Sequence, residues 1–282
     1  MLAGPLQAAP PTDDVVGEQY FYAVQSEQTL MDVARLFGLG IAELIAANPE
    51  VDPWLPPAGA AVILPLAHVL PNAPRRGIVI NLAEPRLYAY GPWGVKSYAI
   101  GIGRDGLDTP LGTTKVVSRI MHPAWYPTAQ ARADDPTLPR VVPPGPSNPL
   151  GDRALALGWS GYLIHGTNKP DGVGLRISRG CIRLYPEAIA ALFGLTPTGT
   201  AVTVVNQPVK AGWRGDALYV EVHDPGAVAD SFARAADAQA VDEALVRAVV
   251  TAAAGARDVA IDWRLVAQEA RRPSGLARRI SR

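Results

Sequence analysis

The sequence has a single cysteine in 282 residues, so no internal disulfide can brace the chain. Neither sign of charge is in excess, with 26 Lys+Arg against 26 Asp+Glu. That balance argues against a general nucleic-acid binder, which needs a basic surplus to meet phosphates. No apolar run reaches the roughly 18–20 residues that cross a bilayer as a helix. There is no P-loop and no H-E-x-x-H, so neither nucleotide nor zinc chemistry is indicated. "GIGRDG", residues 101–106, has the dinucleotide-binding glycine spacing, but "LDTPLG" follows it. Pro110 and Gly112 forbid the helix that would aim backbone N–H groups at a pyrophosphate, so these glycines read as turn residues. No cofactor and no metal are expected.

What is present points to a folded, strand-rich body. The hydrophobic share is 48%, the charged share 18%, and Gly and Pro number 27 each. Breakers at that density favour strands and loops over a helical bundle, and the length leaves room for two or three domains. Residues 1–18 read as disordered; the small residues of "LAGPLQAAP" also suit the tail of a signal peptide. Residues 19–66 read as strand, helix, helix, strand. "YFYAV" is a strand pattern, and Thr29 is placed to cap a helix whose apolar positions are Leu30, Val33, Ala34 and Phe37. Gly38 and Gly40 end it; a second stripe, Ile41, Leu44 and Ile45, stops at Asn48-Pro49, and "AAVILP" closes the unit. Residues 67–76 read as a Pro-rich linker, and residues 77–208 as a β-rich domain with one helix near residues 186–193. Inside it, residues 121–151 hold many prolines and little periodicity, the mark of a functional loop such as a substrate wall. Residues 209–282 read as a mostly helical extension, Ala-rich after Asp224.

The lone cysteine lies in "YLIHGTNKPDGVGLRISRGCIRLYP", residues 162–186, sixteen positions after His165. An arbitrary Cys and His are more often core residues than catalysts. Here the surroundings are polar and rich in Gly and Arg, which suits a reactive thiol better than a packed one. The spacing suits a strand ending at His165, a turn through "NKPDGVG", and a second element opening at Cys181. A cysteine near neutral pH is mostly thiol and needs a base or cation nearby; His165 is the candidate base, and Arg179 and Arg183 would lower the thiol pKa. Gly180 would let the backbone approach a substrate, with the Cys181 N–H aimed at a developing oxyanion. His68, His122 and His223 lie outside the motif and read as structural or exposed, His122 also as a substrate-loop residue.

"IHGTN" and "SRGCIRL" together resemble the catalytic motif of the L,D-transpeptidases, the YkuD-type family; "TPLGTTKV" at Thr109 and "NPLGDRALAL" at Asn148 also match it. Residues 19–66 resemble a LysM module, a peptidoglycan-binding unit whose contact edge would be residues 26–29 and 48–52. The fold class implied is mainly β: an L,D-transpeptidase catalytic domain, a small βααβ LysM-like domain and a C-terminal α-helical segment. The resemblance implies Cys181 as nucleophile, His165 as base and then acid, and the Gly166 carbonyl as orienter of the imidazole. Ser178, Arg179, Gly180 and Arg183 would complete the substrate pocket. Much of the family has His before the Gly-Cys pair and Asn two positions after the Cys; here Arg179 and Arg183 stand there, and the roles of those side chains do not carry over.

The activity implied is thioester formation with a tetrapeptide stem, release of D-alanine, and acyl transfer to an amine. The acceptor would be an outer-membrane lipoprotein lysine or a second diaminopimelate stem. The resemblance to the Gram-negative branch implies a periplasmic enzyme acting on peptidoglycan stems and glycan strands, with no nucleic-acid or nucleotide partner and a carbapenem as covalent inhibitor. Two alternatives stay open at this point: an L,D-carboxypeptidase of the same family, and a non-catalytic wall-binding protein with a structural cysteine.

Overall fold

The computed structural model describes residues 13–103, 108–178, 180–224 and 239–282. Its N-terminal unit runs β1 (Val15–Val16), β2 (Tyr20–Ala23), α1 (Leu30–Phe37), α2 (Ile41–Ala47), β3 (Ala61–Leu64) and β4 (His68–Val69). At the start of α1, Thr29 Oγ1 accepts from Asp32 N–H at 3.1 Å, and Asp32 Oδ2 accepts from Thr29 N–H at 2.8 Å. This reciprocal box satisfies two donors that a helix start leaves open. Gly38, at φ +66°, ends the helix where a side chain would be strained. After α2, Asn48 is buried and bonds the Leu44 carbonyl and both backbone groups of Ile63. One amide thus ties the second helix to β3, which pairs antiparallel with β2.

Two boundaries differ from expectation. Residues 13–18 are ordered rather than loose, since β1 pairs with β4 and Asp14 N–H donates to the Trp213 carbonyl at 2.7 Å. The expected linker is structured for the same reason: Val15, Ala67, Val69 and Ala277 bury one another in a small cluster. Two-residue strands give almost no sequence period, so only their burial reveals them.

The central unit continues with β5 (Gly77–Asn81), β6 (Arg86–Gly91), β7 (Gly94–Ala99), β8 (Ile102–Gly103), β9 (Gly112–Met121), α3 (Ala129–Asp134), β10 (Arg153–Leu157), β11 (Leu163–His165), β12 (Arg176–Ser178), β13 (Ile182–Arg183), α4 (Pro186–Leu195) and β14 (Ala201–Val205). Eight of these strands form one mixed sheet in the order β13-β11-β10-β9-β14-β5-β6-β7. The β11–β13 and β5–β14 pairs are parallel, and the other neighbours antiparallel. Inward-facing Ile78, Ile80, Leu155, Ile164, Ile182 and Val202 share a core with Ile189, Leu192 and Phe193 of α4. The segment 121–151 is tethered rather than structureless. Trp125 and Val142 exchange backbone bonds, and the fully buried Asn148 amide reaches the carbonyls of Pro123, Val142 and Pro143.

The C-terminal unit departs from the mostly helical expectation. It holds β15 (Val209–Arg214), β16 (Ala217–Val222), α5 (Glu243–Ala254), α6 (Trp263–Arg271) and β17 (Arg278–Arg279). The strands form a sheet in the order β15-β16-β17, and both helices pack on it through Val246, Val250, Val266 and Ala270. Part of the Ala-rich stretch, residues 225–238, lies outside the described residues.

A buried charge cluster joins the three units. Lys210 Nζ lies 2.5 Å from Glu84 Oε2 and 3.0 Å from Glu221 Oε1. Tyr88 and Asn81 also donate to Glu84, while the Val69 N–H and His223 Nε2 bond Glu221. Burial pushes the Glu221 carboxyl up, but Lys210, His223 and His68 hold it well below the usual carboxylate range. His68 and His223 are both buried. The N-terminal unit docks nearby. Arg86 of β6 clasps Glu43 of α2 with both carboxylate oxygens, and Arg35 pairs with Glu187 at 2.9 Å. Tyr185 O–H donates to the Leu39 carbonyl at 2.9 Å. Gly40 and Gly174 meet backbone to backbone, where a Cβ on Gly174 would stand 2.5 Å from the Gly40 Cα.

Candidate active site

The parallel pairing of β11 with β13 sets Ile164 opposite Ile182 and His165 opposite Arg183. Ile164 and Ile182 both point into the core. Side chains alternate along a strand, so Leu163, His165, Cys181 and Arg183 share the other face. Cys181 stands one residue before the paired Ile182, diagonal to His165 on the adjacent strand. Fifteen residues of intervening chain return to that position through a turn at Pro170–Gly172 and through β12.

His165 is buried, at 3% exposure, and its Nδ1 lies 2.5 Å from the Gly166 carbonyl oxygen. With the ring proton on Nδ1 donated to that oxygen, Nε2 is the basic nitrogen. The Gly166 N–H donates to the Arg153 carbonyl at 3.1 Å, which ties the peptide just before that carbonyl to β10. Burial, with help from the Arg183 charge, lowers the imidazole to about 4; the Gly166 and Leu150 carbonyls oppose that shift. The ring is therefore neutral at pH 7.

Cys181 is partly exposed, and its Sγ donates to the Gly161 carbonyl at 3.5 Å rather than to the imidazole. Burial pushes the thiol up, against opposing help from the Leu163 N–H and the Arg183 guanidinium. Arg183 lowers the thiol as expected, but desolvation of the sulfur outweighs that charge and the net shift is upward. The resting pair is a thiol beside a neutral imidazole.

The remaining expected residues fall in different places. Arg183 is half-buried, its Nε has no hydrogen-bond partner, and no carboxylate pairs with it among the described residues. Gly180 adopts φ +96°, open to glycine and strained for other residues. Ser178 lies under the site instead of lining it. It is 1% exposed, its Oγ donates to the Cys181 carbonyl at 2.5 Å, and it accepts from the Gly180 N–H at 3.2 Å. Arg179 lies outside the described residues. His122 is exposed, far from the motif in sequence, and paired with Asp152. Sequence reasoning assigned no role to the Gly161 carbonyl or the Leu163 N–H, since a backbone contact across strands leaves no side-chain signature. His68, Glu84 and Glu221 bring ligand atoms within 4.8 Å of one another, a spacing that suits a cation. Lys210 Nζ already fills that role.

The profile of the L,D-transpeptidase catalytic domain family (YkuD) matches residues 75–204. The chain is 43% identical over 228 residues to a probable L,D-transpeptidase, YcfS, of Escherichia coli K12, covering 77% of this chain and 71% of that protein. It is 41% identical over 226 residues to the probable L,D-transpeptidase ErfK/SrfK of Salmonella typhimurium, covering 77% and 73%. To the probable L,D-transpeptidase YbiS of Escherichia coli K12 it is 43% identical over 228 residues, covering 76% and 74%. Similarity of that depth across most of both chains, over a site that sets one thiol diagonal to one oriented imidazole, makes this chain a member of the L,D-transpeptidase family and an L,D-transpeptidase enzyme.

Proposed function

We propose that Cys181 and His165 carry out a two-step acyl transfer on a peptidoglycan tetrapeptide stem. The observation that carries this is the diagonal placement of His165, at the end of β11, and Cys181, one residue before β13, with Nδ1 of the imidazole held by the Gly166 carbonyl and Nε2 the nitrogen that takes the proton. Rotation about the Cys181 Cα–Cβ bond turns Sγ from the Gly161 carbonyl toward Nε2. As the sulfur attacks the carbonyl before the terminal D-alanine, its proton passes to Nε2. The tetrahedral intermediate collapses, the C–N bond breaks, and the imidazolium protonates the departing D-alanine amine. A thioester remains on Cys181. An acceptor amine then attacks, His165 takes its proton, and the sulfur leaves and is reprotonated. The thioester conserves acyl reactivity, so the exchange needs no nucleotide.

The unpaired Arg183 guanidinium suits a stem carboxylate. Ser178 is a positioning residue in this scheme, since its hydroxyl is taken up by the Cys181 backbone. The N-terminal unit is proposed as a LysM-like glycan holder, which is supported by its β2-α1-α2-β3 order and by the exposure of residues 26, 27, 49, 50 and 52 in the two loops expected to contact glycan. Holding the strand raises the local concentration of stems. The enzyme is assigned to the periplasm, with a lipoprotein lysine or a second stem as acceptor and a carbapenem as covalent inhibitor.

The test is product mass from purified tetrapeptide stem, with and without an amine acceptor. Loss of D-alanine with a mass gain on Cys181, followed by transfer to the amine, is the expected result. Release to water alone would make the enzyme an L,D-carboxypeptidase. A Cys181→Ala variant that still released D-alanine would overturn the assignment.

A further inference from the structure

Thr109 belongs to a motif that no step above uses. It is buried, at 4% exposure, and its Oγ1 donates to the Gly180 carbonyl at 2.8 Å across a gap of 71 residues in sequence. The Gly180–Cys181 peptide is trans, so its carbonyl and its N–H point in opposite directions. Whatever grips the carbonyl therefore aims the Cys181 N–H. The neighbouring groups are also held: the Gly180 N–H donates to Ser178 Oγ at 3.2 Å, and the Cys181 carbonyl accepts from the same hydroxyl at 2.5 Å. Among the described residues, the Cys181 N–H alone in this stretch has no hydrogen-bond partner. An unpaired amide beside the nucleophilic sulfur is an available donor for the oxygen of the carbonyl that the sulfur attacks.

We propose that Thr109 is a positioning residue for acyl transfer. Its hydroxyl sets the tilt of the Gly180–Cys181 peptide so that the Cys181 N–H stabilises the oxyanion formed when Sγ adds to the stem carbonyl. This rests on the acyl-transfer reading given above. The φ of +96° at Gly180 favours glycine, whose backbone is the least restricted of any residue, so a bond from elsewhere in the chain is what holds this peptide in one orientation. Thr109 supplies it from the segment before β9, a part of the chain with no sequence proximity to the nucleophile.

The experiment compares Thr109→Val and Thr109→Ser in the full chain. Valine keeps the buried shape and deletes the donor; serine keeps the donor. Two rates are read. D-Alanine release from tetrapeptide stem passes through an oxyanion; alkylation of Cys181 by iodoacetamide is a direct displacement and does not. Thr109→Val is expected to lower kcat for D-alanine release about 10- to 100-fold, a fraction of what deleting an oxyanion donor outright costs. KM and the alkylation rate should stay close to the parent values, and Thr109→Ser should recover most of kcat. Parent-like kcat in Thr109→Val would overturn the proposal. So would an equal fall in kcat and alkylation in both variants with a lowered melting temperature, since that marks a merely structural bond. If the parent releases no D-alanine, or Cys181→Ala releases it as fast, the acyl-transfer reading falls first and this one with it.

Discussion

Titrating the Cys181 thiol by alkylation tests the protonation state on which the chemistry rests. A thiol of ordinary pKa is about 3% thiolate at pH 7. Burial pushes Cys181 above the ordinary value, so its thiolate fraction lies below that. His165, lowered to about 4, is protonated in about one molecule per thousand at pH 7. Moving the proton from Sγ to the imidazole at rest then costs on the order of 6 kcal/mol for an ordinary thiol, before the attraction between the two charges so formed is counted. The resting enzyme holds a neutral pair, and proton transfer has to accompany attack on the substrate. Iodoacetamide, which offers no such coupling, is expected to react at pH 7 no faster than with free cysteine. Its rate should climb about tenfold per pH unit, with no plateau below the ordinary thiol value. D-Alanine release should instead be level from about pH 5 upward and fall only as the imidazole protonates near pH 4. An alkylation plateau below pH 7, or thiolate absorbance at pH 6–7 that Cys181→Ser abolishes, would refute the reasoning.

Three further outcomes are expected. Lys210→Met removes the cation shared by Glu84 and Glu221 and should cost about 3–5 kcal/mol at pH 7, read from urea midpoints. Glu221 sits well below its ordinary pKa, so its contribution is complete above the ordinary carboxylate range and is lost as pH falls; the gap between parent and variant should narrow on acidification. His68 and His165, each lowered to about 4 chiefly by burial, bind protons more readily when unfolded. Parent stability should therefore fall between pH 6.5 and 4, by up to about 3 kcal/mol for each ring, with no such slope above pH 7.5 in urea titrations. Gly174→Ala forces a Cβ to 2.5 Å from the Gly40 Cα at φ +90° and should lower the melting temperature by several degrees, whereas Gly199→Ala, also at positive φ but with open space around it, should lower it less.

Legibility in the sequence tracked the length and regularity of each signal. Thr29 and Asp32 announce α1 because a capping box is written in four consecutive residues. Cys181 and His165 stood out because a thiol among Gly and Arg is chemically odd, and their strands are short enough for a turn to bring them side by side. The β15–β16 hairpin was overlooked in a segment judged from its later Ala-rich part, although Val209–Arg214 and Ala217–Val222 flank a two-residue turn. Pairings such as β1 with β4, two residues each, carry no period at all and depend on contacts over fifty positions away. The net direction of the thiol's shift is not legible in the sequence, which displays charges such as Arg183 and hides desolvation. Thr109 and Gly180 lie 71 residues apart, and only folding makes them partners.

The joint among the three units bears on how such a chain can evolve. Residues 75–204, the stretch the family shares, contain Glu84 and Arg86 but not their counter-ions Lys210 and Glu43. Recombination that transplanted this stretch alone would part a carboxylate and a guanidinium from the partners that neutralise them, and a new flank that covered them without replacing those charges would leave them uncompensated. Descendants are therefore under pressure to inherit the flanking pieces as a set, and a lineage can exchange them freely only after an apolar seam has replaced the ionic one.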